Sequence, residues 1–387
     1  FRSVWNNTLQ CYTVVSELAK SHTKNNASKV VKATVLSSLL AVTSSTYAAQ
    51  GGVSVNNTTI NIDNEAVYNN TSVGVYNQGT LNFGDNLKLS SDTEPTSGIF
   101  VNNQSTLNVK GNLSGTNTYL STENSKVNVN KDLKLDGKTE TIFGSFNGSD
   151  IKVDGNASVS DLVRFTADRD SSIEIGKDLN LNSTLSDASN SLRESVGIYN
   201  NSHMTVGGDV NVLGDSLIKS DGDASIVIGG DLNVKVDSHR NEIVGIYNNG
   251  SIKVNGNLTA DRDNEYVETS DINLGTNAKL DVTGNAEFKG NTHLAIWDNS
   301  KASIGGNLKM SGVTNDGSIV YNNVNGNSSL NVAGDVNLSG TNNIHAFDNS
   351  ELNFEKDLNI ESTEVRDIFC VSEGAVGNIK GDMHVTG

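Results

Sequence analysis

Two short runs hold the residue types that cleave polysaccharides: Arg164, Asp168, Arg169 and Asp170, then Asp261, Arg262 and Asp263. Paired carboxylates can serve as general acid and base, and arginine can hold an anionic substrate. Mixed Asp/Arg runs are also how solvated turns are written, and that reading fits both runs better. A Gly-Asp step recurs along the chain and raises the question of calcium. The calcium-binding β-roll needs its aspartate every nine residues. Here the period is near 25, and Asn replaces Asp in six of thirteen copies, which suits a corner better than a metal ligand. The six histidines are scattered, and no HExxH or CxxC pairing, G-x-S-x-G elbow or phosphate-binding loop occurs. Tyr76, Tyr199, Tyr247 and Trp297 could form a sugar-binding stripe, but their recurring place in one element favours core or stacking positions. The expectation is a protein that is not an enzyme and has no cofactor and no metal.

The elements that would position these groups come from a repeat. From Thr80 onward the unit S-x-Φ-x-Φ-x-G-[ND]-Φ-x-Φ recurs, with Φ apolar. The residue after its turn is Leu87, Leu113, Leu133, Ala157, Leu179, Val210, Leu232, Leu258, Ala286, Leu308, Val336, Leu358 and Met383. Asn or Asp precedes all thirteen. Gly stands before that in nine, Lys in three (Lys131, Lys177, Lys356) and Asp in one (Asp85). Gly, Asn and Asp tolerate positive φ and close tight turns. Apolar residues alternate with polar ones on both sides, as in half-buried strands. A third element, such as Gly98-Ile99-Phe100-Val101-Asn102 or Gly245-Ile246-Tyr247-Asn248-Asn249, reads as another strand ending in an Asn-rich corner.

Three short strands per unit predict an all-β fold: a right-handed parallel β-helix, a solenoid of about 13 coils of roughly 25 residues. A stack of hairpins would leave sheet edges at every unit, whereas stacked coils pair every strand with neighbours above and below. Coil length should vary between the second and third strands, for example over Ser183–Ser195 and Val236–Glu242, giving loops on one face.

The formal net charge of −17 disfavours nucleic acid and anionic membranes as partners. The two cysteines, Cys11 and Cys370, would leave one in a chain trimmed at its N-terminus, so no disulfide framework is expected.

The first fifty residues differ in kind. Lys29–Lys32 is basic, Ala33–Val42 is an apolar run too short to span a bilayer, and small residues follow. That is the order of a secretory signal, with cleavage expected after Ala48 or Ala49. Upstream stand Phe1, Arg2, Trp5 and Asn6, and then Ser16, Glu17, Leu18, Ala19 and Lys20. This stretch resembles the extended signal peptide region of type V secretion proteins. The resemblance implies Sec export and the outer-membrane assembly machinery as partners, and a place on the cell surface or outside the cell. The expected layout is an N-terminal helical signal segment, comprising an extended region over 1–28 and the signal proper over 29–48. A cap or first coils follow over 49–79, and the β-helix over 80–387.

Among the branches that share this export region, two-partner secretion lacks its usual proline-bearing motif here, and no heptads suggest a trimeric coiled coil. The resemblance therefore points to an autotransporter passenger. The chain begins with Phe1 and stops at Gly387 within the repeat, so the translocator barrel is expected beyond this segment and would be the link to the outer membrane. Two functions follow from the sequence: an adhesin or structural stalk whose ligand is a host glycan, matrix or cell surface, and alternatively a carbohydrate-active enzyme, a lyase or hydrolase.

Overall fold

The structure is a computed structural model. It describes residues 2–6, 11–15, 47–49, 52–92, 97–168, 170–182, 196–214, 216–236, 245–262, 272–290, 292–312, 320–362 and 369–387. The chain divides into two compact units, Phe1–Ala41 and Val42–Gly387.

In the first unit, Arg2–Asn6 and Cys11–Val15 pair antiparallel, with Arg2 opposite Val15 and Trp5 opposite Tyr12. This departs from the helix expected for the N-terminal segment. Val4, Trp5, Tyr12, Thr13, Val14 and Val15 are β-branched or aromatic, and such residues favour extended chain. The apolar run 33–42 lies outside the described residues, as do Ser16, Glu17, Leu18, Ala19 and Lys20.

The second unit is a parallel β-solenoid. Every pairing among its described strands is parallel, and each coil contributes one strand to each of three faces. The first face holds the strand before the Gly-Asn corner and is a 14-stranded sheet. With neighbouring strands about 4.8 Å apart, it runs for roughly 60 Å. The second face starts at the residue after the corner, and all thirteen anchors expected from the repeat open a strand there. A further coil precedes them, with Thr59–Ile62 leading to Ala66–Asn69, so residues 49–79 include a first coil. The second and third faces merge into one 27-stranded sheet because Leu133–Phe146 and Ala157–Ala167 run through both.

Alternation fills the interior. On the first face Leu81, Leu107, Val127 and Ile151 stack in register, as do Phe83, Val109, Val129 and Val153, all buried. Phe143 and Phe165 stack across adjacent coils, with centroids 4.7 Å apart and planes 5° from parallel. The connection from first to second face is three residues in every coil, as from Val109 to Leu113 or from Val282 to Ala286. Coil length therefore varies elsewhere, chiefly between the second and third faces. That connection is one residue at Asn117 and far longer between Asn182 and Val196. Segment 183–195, and 237–242 of the second expected loop, lie outside the described residues.

Candidate functional site

The Gly-[Asn/Asp] corner is the most regular feature of the surface. At each step, Oδ1 of the Asn or Asp on one coil accepts the backbone N–H of its counterpart on the next. The acceptors run from Asn86 through Asn112, Asp132, Asn156, Asp178, Asp209, Asp231, Asn257, Asn285, Asn307 and Asp335 to Asp357, which takes the N–H of Asp382. Asn and Asp interchange because both carry an acceptor oxygen one carbon beyond Cβ.

The preceding glycine has a separate cause. A Cβ at Gly111, Gly256 or Gly284 would fall on the ladder oxygen and backbone of the coil below. Where Gly precedes, the N···Oδ1 distance is 2.7–2.9 Å. Where Lys131, Lys177 or Lys356 precedes, it stretches to 3.1, 3.3 and 3.4 Å. None of these ladder residues has positive φ. Left-handed backbone occurs instead at the corner from third to first face, for example at Asn77, Gln78, Asn103, Gln104, Asp298 and Asn299. The turn chemistry expected at the Gly-Asn corner belongs to the other one.

At that second corner the leading serine of the repeat is buried and bridges coils. Ser105 N–H donates to Ser125 Oγ at 3.0 Å and Ser125 N–H to Ser149 Oγ at 3.2 Å. Ser300 and Ser328 continue the pattern. Where the serine becomes Ala224 or Gly250, buried asparagines take over. Asn200 Nδ2 donates to Ser225 O at 2.9 Å, and Asn248 Oδ1 accepts from Gly250 N–H at 3.0 Å.

The sequence-expected clusters are placed differently from one another. Arg164 lies inside the strand Ala157–Ala167, Asp168 follows it, and Asp170 has φ 61°. Four residues of extended chain set Arg164 and Asp168 about 13 Å apart. Asp261 and Arg262 end the strand Leu258–Arg262, so they are not in a loop as expected. By alternation Asp261 is half-buried and outward, while Arg262 turns inward and is 1% exposed. Its aliphatic stem extends the apolar column of Leu258 and Ala260. Arg169 and Asp263 lie outside the described residues. The two clusters are four coils apart on the axis, roughly 19 Å, and do not meet.

Beside Arg262, on the next coil, His293 is 8% exposed. Burial first, and the Arg262 guanidinium second, push its imidazole down to about 4. No sequence signal marked His293, because a lone histidine carries no pattern. Several outward carboxylates are tied to lysines across or along coils. Lys88 meets Glu65 at 2.7 Å, Lys152 meets Glu174 at 2.8 Å and Lys309 meets Glu287 at 3.1 Å. Hydrogen bonds from Lys88 and Asn86 hold Glu65 below its ordinary range, and the bond to Glu174 raises Lys152. At Glu287 burial pushes upward, but hydrogen bonds from Lys309 and Lys289 outweigh it and the net direction is down.

Three of the aromatic residues expected in the core of the third face lie outside it, unlike Phe143 and Phe165. Val75, Ile246 and Ile296 point inward, while Tyr76, Tyr247 and Trp297 are half-buried on the outside. The side chain of Tyr199 lies outside those described. At Tyr76 and Phe100 the glycine two residues earlier gives the ring a floor, whereas Ala295 holds that place before Trp297. A Cβ on Gly74 would meet Tyr76 Cε2 at 2.5 Å, and one on Gly98 would meet Phe100 Cε2 at 3.0 Å. The Gly-Φ-aromatic spacing of the repeat is thus a seat for an outward ring.

Residues 1–46 match the model for the extended signal peptide of type V secretion systems. No curated protein and no solved structure matches the chain. The export signal and the parallel solenoid together fit a type V passenger of the autotransporter kind, sent through Sec to the cell surface or the medium.

Proposed function

We propose that this exported passenger works by adhesion, holding a regular polar surface away from the cell. The observation that supports this reading is the corner ladder, which ties every coil from Asn86 to Asp382 to its neighbour. A chain of nearest-neighbour contacts over a filled core resists bending and exposes long, repetitive faces. Several outward acids, among them Glu65, Glu174 and Glu287, engage lysines on adjacent coils and so serve the scaffold. The alternative is a carbohydrate-active enzyme, and it rests on the Asp168 and Asp261 clusters.

The test couples two readings on one preparation. Beads coated with the purified chain are scored for attachment to epithelial cells and extracellular matrix. The same protein is assayed for release of reducing or unsaturated ends from a polysaccharide panel. Attachment without cleavage supports adhesion. Cleavage that disappears in Asp168→Asn or Asp261→Asn would replace adhesion with enzymology.

A further inference from the structure

We infer that the corner between third and first faces, over the first four coils, is a binding groove for an uncharged glycan chain lying along the solenoid axis. This rests on the adhesive reading above and names its ligand class and site. The groove has a volume of about 400 Å³ and is lined by Asn57, Asn77, Gln78, Asn103, Gln104 and Asn124. Its size falls within the range of small-ligand sites.

All six lining residues are amides, and none carries charge, on a chain whose net charge is −17. An amide presents a donor pair and an acceptor in one plane, which suits neighbouring hydroxyls and offers nothing particular to an anion or cation. The backbone of all six is fixed by the corner, and the Asn77 and Asn103 side chains are held by hydrogen bonds. All six have left-handed backbone, with φ from 46° to 63°. Asn77 Nδ2 donates to Asn56 Oδ1 at 3.0 Å, and Asn103 Nδ2 donates to Asn77 Oδ1 at 3.1 Å. Each of these asparagines keeps a second N–H for a ligand. A preordered site loses little side-chain entropy on binding.

The groove repeats its chemistry once per coil. Asn77-Gln78 is followed by Asn103-Gln104 one coil on, with the two glutamines facing each other at 3.5 Å. The rise of about 4.8 Å per coil is comparable to one sugar residue in an extended polymer, so consecutive sugars meet equivalent amides. Tyr76 stands immediately before this corner; one coil later Phe100 lies opposite Gly74, three residues before Asn103, and both rings are half-buried and outward on glycine seats. Such rings offer flat faces to the C–H side of a sugar, while the amides take its hydroxyls. Toward the next coils the neutral lining ends at Glu123, which accepts from Asn147.

The experiment measures binding of the full chain to cellohexaose, laminarihexaose and N-acetylchitohexaose. Heparin and polygalacturonate serve as acidic controls. The variant is Asn103→Gly with Gln104→Gly, since glycine keeps the left-handed backbone without strain. Circular dichroism and thermal unfolding verify its fold. The expected result is binding of at least one neutral hexamer, weakened about tenfold or more in the variant, as for loss of one or two net hydrogen bonds. Phe100→Ala should weaken it independently. Unchanged affinity in both variants overturns the site. Preference for the acidic polymers overturns the ligand class. If bead attachment to cells persists with no neutral glycan bound, this groove assignment fails while adhesion stands; if attachment is absent too, both fail. Self-association in sedimentation that the double-glycine variant abolishes, without glycan binding, would make the occupant a second copy and overturn the proposal.

Discussion

At the scale of single residues, an Asn or Asp once per coil was plain in the sequence, but its reason was not. A turn residue and a ladder acceptor look alike in one dimension. Only the coil above shows that Asp231 Oδ1 takes the N–H of Asn257 at 2.7 Å. The two explanations predict different substitution patterns. Asp231→Asn keeps the acceptor and removes a like charge beside Asp209, so stability should hold or rise slightly. Asp231→Ala should lose about 1 kcal/mol, the net worth of one such bond. Asp231→Glu should behave like Ala, because its oxygen lies one carbon too far out. Urea denaturation of the three variants decides; equal stability of all three would return the corner to ordinary turn chemistry. His293 gives a second prediction at this scale. Its folded value of about 4 lies below the ordinary 6.5. Between those values the unfolded chain binds a proton that the folded chain refuses. This contribution is intact above pH 6.5 and is lost as pH falls toward 4, on the order of 3 kcal/mol by the lower limit. His293→Leu should flatten that part of the stability–pH curve. A wild-type minus variant difference that stays constant from pH 7 to 4.5 would mean the imidazole is not held neutral.

At the scale of elements, the strands and their order were legible because apolar residues alternate on both sides of a fixed corner. Which polar residues turn inward was not. Parity along a strand decides that; the variable connection before the third face hides it for Asn200 and Asn248, while Arg262 keeps the parity of Leu258 but its charge reads as the start of a loop. Arg262, Asn200 and Asn248 therefore read as surface residues, though all three are buried. The glycines likewise look uniform in sequence but do two jobs. A Cβ at Gly256 would strike Asp231 Oδ1 and the backbone of Gly230, which cannot swing away. A Cβ at Gly74 would strike only the Tyr76 ring, which can. We expect Gly256→Ala to cost about 2 kcal/mol, as overpacking does. Gly74→Ala should cost less, about 1 kcal/mol or under, because the Tyr76 ring can be displaced. Chemical denaturation and ring-proton shifts measure the two effects. Equal costs would mean that the seat and the ladder share one constraint.

At the scale of the whole solenoid unit, stability should be a sum of coil terms and nearest-neighbour interfaces. The registers then say where a coil can be removed. His203 lies opposite Ser225, and Ser172 lies opposite His203. Deleting residues 203–224 would join Ser202 to Ser225 and set Ser172–Ile175 directly beneath Ser225–Ile228. On the second face Leu179 would meet Leu232, as Val210 does now. Asp178 Oδ1 would accept from Asp231 N–H in place of Asp209. On the third face Ile198 would stack on Ile246, and the buried Asn200 on Asn248. Each of these contacts is replaced by one of the same kind, so the shortened protein should fold. Its circular dichroism per residue should be unchanged, and small-angle scattering should show a smaller particle, the solenoid unit having lost about 5 Å, one strand spacing. Deleting 203–213 instead would place a second-face ending where a first-face strand must stack, and that protein should not fold. If the full-coil deletion unfolds as badly as the partial one, the coils are not exchangeable units. The loops between second and third faces would then be carrying contacts between non-adjacent coils.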